Sequence, residues 1–295
     1  MLMNFLIGLF VFIFGLCIGS FLNCVICRLE QKKSLNGRSF CPHCKHTLRW
    51  LDLIPVFSFL FLKGKCRYCK KKISVQYPLV EVATGLIFLI IFNFHCLLPV
   101  GFFSIFNEFL IIQFFNLFFL FYVSSALIII FVYDLKHYLI PDKVLFPAIV
   151  IAFLYRILEF LILNWGLIEN WKLKIENSAL LLNYFYAIII GSGFFLAIFL
   201  FSRGAAMGFG DVKLAVLMGL VLGFPNILVG LFLAFFFGAI IGVILMVFPF
   251  GAAQGKYKKG LKSEIPFGPF LIAGTFIAIF WGSAIINWYL KLSNL

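Results

Sequence analysis

Acidic residues are scarce in this chain of 295. Eleven Asp and Glu stand against 24 Lys and Arg, and charged residues of both signs make up only 12%. Soluble domains carry roughly a quarter charged residues, so a water-exposed globule is excluded. Low-complexity linkers and internal repeats are missing as well, which excludes disordered arrays and solenoids. No strict apolar–polar alternation runs through the apolar segments, which excludes a membrane barrel. There is also no H-E-x-x-H, no Ser-His-Asp spacing and no Walker A stretch, so the chemistries those motifs serve have no footing. The run Gly208-Phe209-Gly210 lacks both the preceding strand and the third glycine of a dinucleotide fingerprint.

What is abundant is apolar: 64% of the residues are hydrophobic. Runs of about 20 such residues cross a ~30 Å hydrocarbon core as helices. The pattern predicts spans over residues 2–26, 79–98, 109–133, 143–164, 180–201, 212–224, 227–249 and 267–290. The sixth is short and ends at Phe224-Pro225. The first has no basic n-region and no small-residue cleavage site, so it reads as a retained helix rather than a signal peptide. The expected fold class is an all-α polytopic membrane protein of about eight transmembrane helices with a small cytoplasmic loop domain. The division expected is a first helix over 1–27, the loop domain over 28–78 and a transmembrane domain over 79–295.

The net charge of +13 is distributed by topology. All Lys and Arg except Arg156, Lys172, Lys174 and Lys291 fall in residues 27–78, 134–143, 202–213 and 250–266. That bias places these segments in the cytoplasm and both termini outside. A basic face of this kind points to anionic membrane lipid, not to nucleic acid.

The first cytoplasmic loop is about 50 residues, too short to bury a large core unaided, and domains of that size are held by disulfides or a metal. It contains Cys41-Pro42-His43-Cys44 and Cys66-Arg67-Tyr68-Cys69. Two C-x2-C turns present four thiolates, which suit a closed, structural zinc site. Disulfides, the competing reading, are disfavoured by a reducing cytoplasm. His43 and His46 are read as exposed loop residues and Cys24 and Cys27 as packing residues.

With so few carboxylates each can be placed. Glu30 and Asp52 belong to the loop, while Glu108, Glu159, Glu169 and Glu176 lie towards the outer side and are expected to be solvated. Glu81, Asp134, Asp142, Asp211 and Glu264 all fall at cytoplasmic helix ends, where an ionisable group is costly and calls for a use. Asp134 ends the third span and Asp211 opens the sixth, at similar depth. Gly208 and Gly210 lack a Cβ and leave room for a backbone to approach. Two aspartates sharing a site hold one proton between them, which suits one as base and the other as acid. The same residues also suit helix capping, or pairing with Lys136 or Lys213. His137 reads as an interfacial residue.

Five stretches in order resemble the bacterial type IV prepilin peptidases. They are Gly19–Leu29, Arg38–Gly85 with the cysteine tetrad, Asp134–Asp142, Gly208–Lys213 and Ile265–Gly274. The resemblance implies a G-x-G-D intramembrane aspartic protease with Asp134 and Asp211 as the catalytic pair. It implies support from Gly208, Gly210, Asp142 and Glu81, and a Zn²⁺ ion on Cys41, Cys44, Cys66 and Cys69. It also implies an inner-membrane enzyme facing the cytoplasm. Its substrates would be type IV prepilins and type II secretion pseudopilins, cut after the glycine that ends a short basic leader. Many such proteins then N-methylate the new terminus with S-adenosylmethionine. The chain departs from the pattern at Ala205 and Ala206, where Glu and Gly are usual, at Gln76 for Arg and at Leu53 for Asn. The rival class is a transporter or metal-handling protein, which would place its ionisable residues near mid-helix.

Overall fold

The structure, a computed structural model, describes residues 2–96, 108–165, 171–205, 207–247 and 266–293. Ala206 and the basic stretch 250–265, Glu264 included, lie outside the described residues. Among those described the chain is helical, with two isolated β-bridges and no strand.

The helices are α1 (Leu2–Glu30), the short α2 (Phe57–Phe61), α3 (Gln76–Cys96), α4 (Glu108–His137) and α5 (Asp142–Trp165). They continue with α6 (Trp171–Ser202), α7 (Phe209–Leu222), α8 (Asn226–Val247) and α9 (Gly268–Leu292). Among the described residues every predicted span is a helix, as expected where the solvent offers no partner for backbone polar groups; residues 97–98 and 248–249, the ends of two predicted spans, lie outside those described. Seven are long and apolar enough to cross a membrane. The eighth, α7, has only 14 residues.

The chain forms two compact units, Met1–Ile129 and Ile130–Leu295. In the first, α1 packs along α3. A Cβ on Gly15 would come within 2.7 Å of Gly85 Cα, and one on Gly19 within 2.6 Å of Glu81 Cα. This small-xxx-small spacing lets the two backbones touch. At the end of α1 the buried Arg28 guanidinium donates to the carbonyls of Ser34, Leu35 and Gly37, folding the loop back on the helix.

In the second unit α7 is central, packing against α5, α6, α8 and α9. Ten of its 14 residues are buried. A helix that is apolar all round has to be enclosed on every side. Its last turn is capped from α5: Arg156 donates to Leu220 O at 2.9 Å and to Val221 O at 3.0 Å. A cation there satisfies orphan carbonyls and the negative end of the helix dipole. Glu159, expected to be solvated, instead pairs with Arg156 at 2.8 Å, because a buried guanidinium needs a counter-charge.

Candidate active site and metal centre

Asp134 stands in the last turn of α4 and Asp211 is the third residue of α7, both in the second unit. They are only 4% and 8% exposed. The Asp211 carboxylate reaches back to the N–H of Gly208, the residue that caps α7. This is one arm of a capping box, placed at the positive end of the dipole. The Asp134 carboxylate accepts the N–H of Gly268, which opens α9. Each aspartate is therefore held by an amide at a helix start, and the two are near enough for the charge of Asp134 to act on Asp211.

Among the described residues neither carboxylate forms an ion pair. Lys213 turns away to Asp142, 2.8 and 3.0 Å from its two oxygens, tying the start of α7 to the start of α5. The pairing of Asp211 with Lys213 that the sequence left open does not occur. Asp142 thus stands beside the site, exposed, as the partner of Lys213.

The glycines of the site have different uses. A Cβ on Gly210 would lie 3.2 Å from the Ile140 side chain, so this glycine lets the loop after α4 close onto α7. At Gly208 a Cβ would meet the Asp211 carboxylate and Gly210 N at 3.9 Å, an ordinary contact, so among the described residues this glycine is not required by crowding. Gly268 has no room at all, since a Cβ there would overlap the Asp134 carboxylate. Glu81 belongs to the first unit, where it is buried on α3 and accepts the Val56 N–H at 2.7 Å. His137 packs against Tyr133 with the rings tilted and their centroids 4.5 Å apart.

The four loop cysteines converge. Their sulfurs lie within 4.8 Å of one another, and Cys41 and Cys69 are 4.0 Å apart. Four sulfurs bound at ~2.3 Å in a tetrahedron would sit about 3.8 Å apart, so a small contraction closes the site on one ion. The two halves are built alike. Cys41 N bonds His46 O and Lys45 N bonds Cys41 O, while Cys66 N bonds Lys71 O and Lys70 N bonds Cys66 O. Lys45 and Lys70 both take φ +58°, which turns each chain back after its second cysteine.

The thiols are not equivalent. Burial would raise Cys66, but the N–H groups of Cys69 and Tyr68 and the neighbouring thiols bring it down to about 7. At Cys44 the His46 N–H lowers the thiol, yet desolvation and the sulfurs of Cys41 and Cys69 outweigh it, to about 11. Four crowded thiolates need a cation, which is what the donor set fits. His46 stacks on Tyr68 at 3.7 Å and is not among the converging ligands.

Three participants are not among the site residues to which the sequence points. Gly268 lay inside a quoted motif, and the Pro269 that follows it at the helix start was its signal. Ile140 carried no signal, since an apolar residue among many shows nothing of its contacts. Arg156 did: a lone arginine within an apolar span has to be satisfied by something.

Two buried carboxylates at helix ends of one unit, with a converging four-cysteine module and seven helices long and apolar enough to cross a membrane, define a polytopic membrane protein with a candidate acidic site. Known proteins narrow this. A model described as the Bacterial Peptidase A24 N-terminal domain matches residues 13–95, and that of the Type IV leader peptidase family matches residues 121–243. The chain is 32% identical over 290 residues to a "Prepilin leader peptidase/N-methyltransferase" of Bacillus subtilis, covering 96% of this chain and 98% of the relative. It is 32% identical over 313 residues to one of the same name from Legionella pneumophila (96% and 94%) and 30% identical over 307 residues to one from Aeromonas salmonicida (95% and 93%). No solved structure matches. The chain belongs to the type IV leader peptidase family.

Proposed function

We propose that the chain is a membrane-embedded aspartic endopeptidase that removes the leader from type IV prepilins and type II secretion pseudopilins. The observation that supports this best is the pair Asp134 and Asp211, both buried, unpaired with any cation among the described residues and held at helix starts in one unit. Such a pair holds a single proton. The ionised carboxylate accepts a proton from water as its oxygen attacks the scissile carbonyl, and the protonated carboxyl donates to the developing oxyanion. Collapse of the tetrahedral diol returns a proton to the leaving nitrogen and breaks the C–N bond.

Cys41, Cys44, Cys66 and Cys69 hold Zn²⁺ in this reading, as a structural ion with no open position. Residues 28–78 are then a metal-stapled module and 79–295 the peptidase domain. The bias of Lys and Arg puts the module and both aspartates at the cytoplasmic face of the inner membrane, in contact with lipid and away from nucleic acid. The family's second activity is N-methylation of the new terminus, for which S-adenosylmethionine supplies the methyl group when bound. Among the described residues no strand leads into a glycine-rich turn of the kind that cradles a nucleotide, and no residue is assigned to it. The transporter reading is not favoured, because the aspartates cluster at one boundary.

The test is direct. Purified protein is incubated with a prepilin, with and without S-adenosylmethionine, and the product is weighed. Loss of the leader mass alone, then a further gain of one methyl, is the expected result. An unchanged prepilin, with ion uptake by proteoliposomes, would support the transporter instead.

A further inference from the structure

The loop between α1 and α3 carries an apolar face that neither the aspartates nor the cysteines use. Phe57, Leu60 and Phe61 fall at i, i+3 and i+4 and so share one side of α2. Phe61 is 83% exposed, Leu60 62%, and Trp50, just before them, 74%. Their neighbour Phe59 packs onto Gly64 instead, so the outward face is a consequence of how α2 is seated.

The seat is braced on both sides. Asp52 pairs with Arg67 at 2.8 Å and accepts the Tyr68 hydroxyl at 3.2 Å, joining the Trp50 turn to the second cysteine hairpin. From the other side Val56 donates its N–H to Glu81 at 2.7 Å, with Val56 held at φ +61°, a conformation β-branched residues avoid. Glu81 lies in the second turn of α3, a membrane-spanning helix. That bond fixes α2 at the depth where α3 enters the bilayer, so its apolar side chains meet the membrane interface rather than bulk water.

The charges beside it fit the same surroundings. Asp52, already paired, is the one acidic residue in 31–75, which also holds eleven Lys and Arg. Lys63, Lys65, Lys70, Lys71 and Lys72 are all exposed and follow α2 directly. Exposed aromatic and apolar side chains followed in sequence by exposed lysines are the composition of a segment seated among anionic headgroups.

We propose that Trp50 and the Phe57–Leu60–Phe61 face of α2 dock into the bilayer interface around α1 and α3, with Lys63, Lys65 and Lys70–Lys72 on anionic lipid phosphates. The docking rests on the membrane-spanning helices and not on the peptidase reading. A basic leader is repelled by these lysines, which argues against the substrate as occupant.

The full chain is reconstituted in phosphatidylcholine–phosphatidylglycerol vesicles that carry a photoreactive group on the acyl chain, and labelled peptides are mapped by mass spectrometry. Labelling is expected on Trp50 to Phe61 as well as on α1 and α3. Leu60→Ser with Phe61→Ser is expected to lower loop labelling about tenfold with metal content retained. Omitting phosphatidylglycerol is expected to lower it several-fold, with α1 and α3 unaffected. Label on α1 and α3 but none on the loop overturns the proposal. So does protection of the face from a water-soluble carbene that appears only with added prepilin, or only at high protein-to-lipid ratio, which would assign it to substrate or to a second copy. None of these readouts depends on cleavage, so the peptidase reading stands or falls separately.

Discussion

Gly268 lies against the Asp134 carboxylate so closely that no side chain fits between them, and its N–H is that carboxylate's hydrogen-bond donor. The two come from opposite ends of the second unit's sequence, one closing α4 and the other opening α9. A catalytic group displaced by about 1 Å loses on the order of 10²-fold in rate. Gly268→Ala is therefore expected to reduce prepilin cleavage by at least that factor while zinc content stays unchanged. Initial rates on a purified prepilin check it, and a wild-type rate would mean that Asp134 need not be held where it is.

In the proposed mechanism, replacing Asp134 or Asp211 by Asn removes one of two proton-handling groups. Each variant is expected to lose about 10²–10⁴-fold in kcat with membrane insertion intact. The wild-type rate should show a bell-shaped pH dependence, falling at low pH as both carboxyls protonate and at high pH as both ionise. A single-limbed profile extending to high pH would show that no acid form is required.

The cysteine module should release its ion as a unit. One zinc per chain is expected by metal analysis, and Cys41→Ser or Cys66→Ser should lower that content and open residues 31–75 to proteolysis. Because the second hairpin anchors Asp52 through Arg67 and Tyr68, loss of metal should expose the Trp50 turn as well. Proteolysis of the loop unaltered by a strong chelator would separate the fold of the module from its metal.

Arg156→Ala leaves the half-buried Glu159 without its cation and two buried carbonyls of α7 without donors. Breaking a buried pair from one side costs about 3–5 kcal/mol. Thermal unfolding in detergent should shift down clearly, and the double change of Arg156→Met with Glu159→Gln should recover part of it. Equal stability of Arg156→Ala and wild type would show that α7 is held by packing alone.

The helices were legible because hydrocarbon leaves a spanning backbone few choices, and the cysteine tetrad because two equal turns repeat in sequence. That Asp134 and Asp211 fall in one unit was legible only as a shared depth. What α7 packs against could not be read, since a helix apolar on every side carries no stripe to orient it. Lys213 was misleading for a related reason. It stands two residues from Asp211, and two helical steps of 100° carry it to nearly the opposite face, where Asp142 meets it. Glu81 was grouped with the aspartates by motif, and its observed partner, Val56, comes from the loop.

The length of α7 has a consequence for the surrounding bilayer. Fourteen residues rise about 21 Å, some 9 Å less than a typical hydrocarbon core. The helix that carries Asp211 therefore ends short of the far leaflet's surface, and Arg156 and Glu159 hold charge at that recessed end. Lipid meets the helices that enclose α7 rather than α7 itself, and thinning around them shortens the mismatch at that end at a modest cost per Å. Acyl-chain length then becomes a control on how firmly α7 is seated, so cleavage should run faster in thin bilayers than in thick ones of the same headgroup.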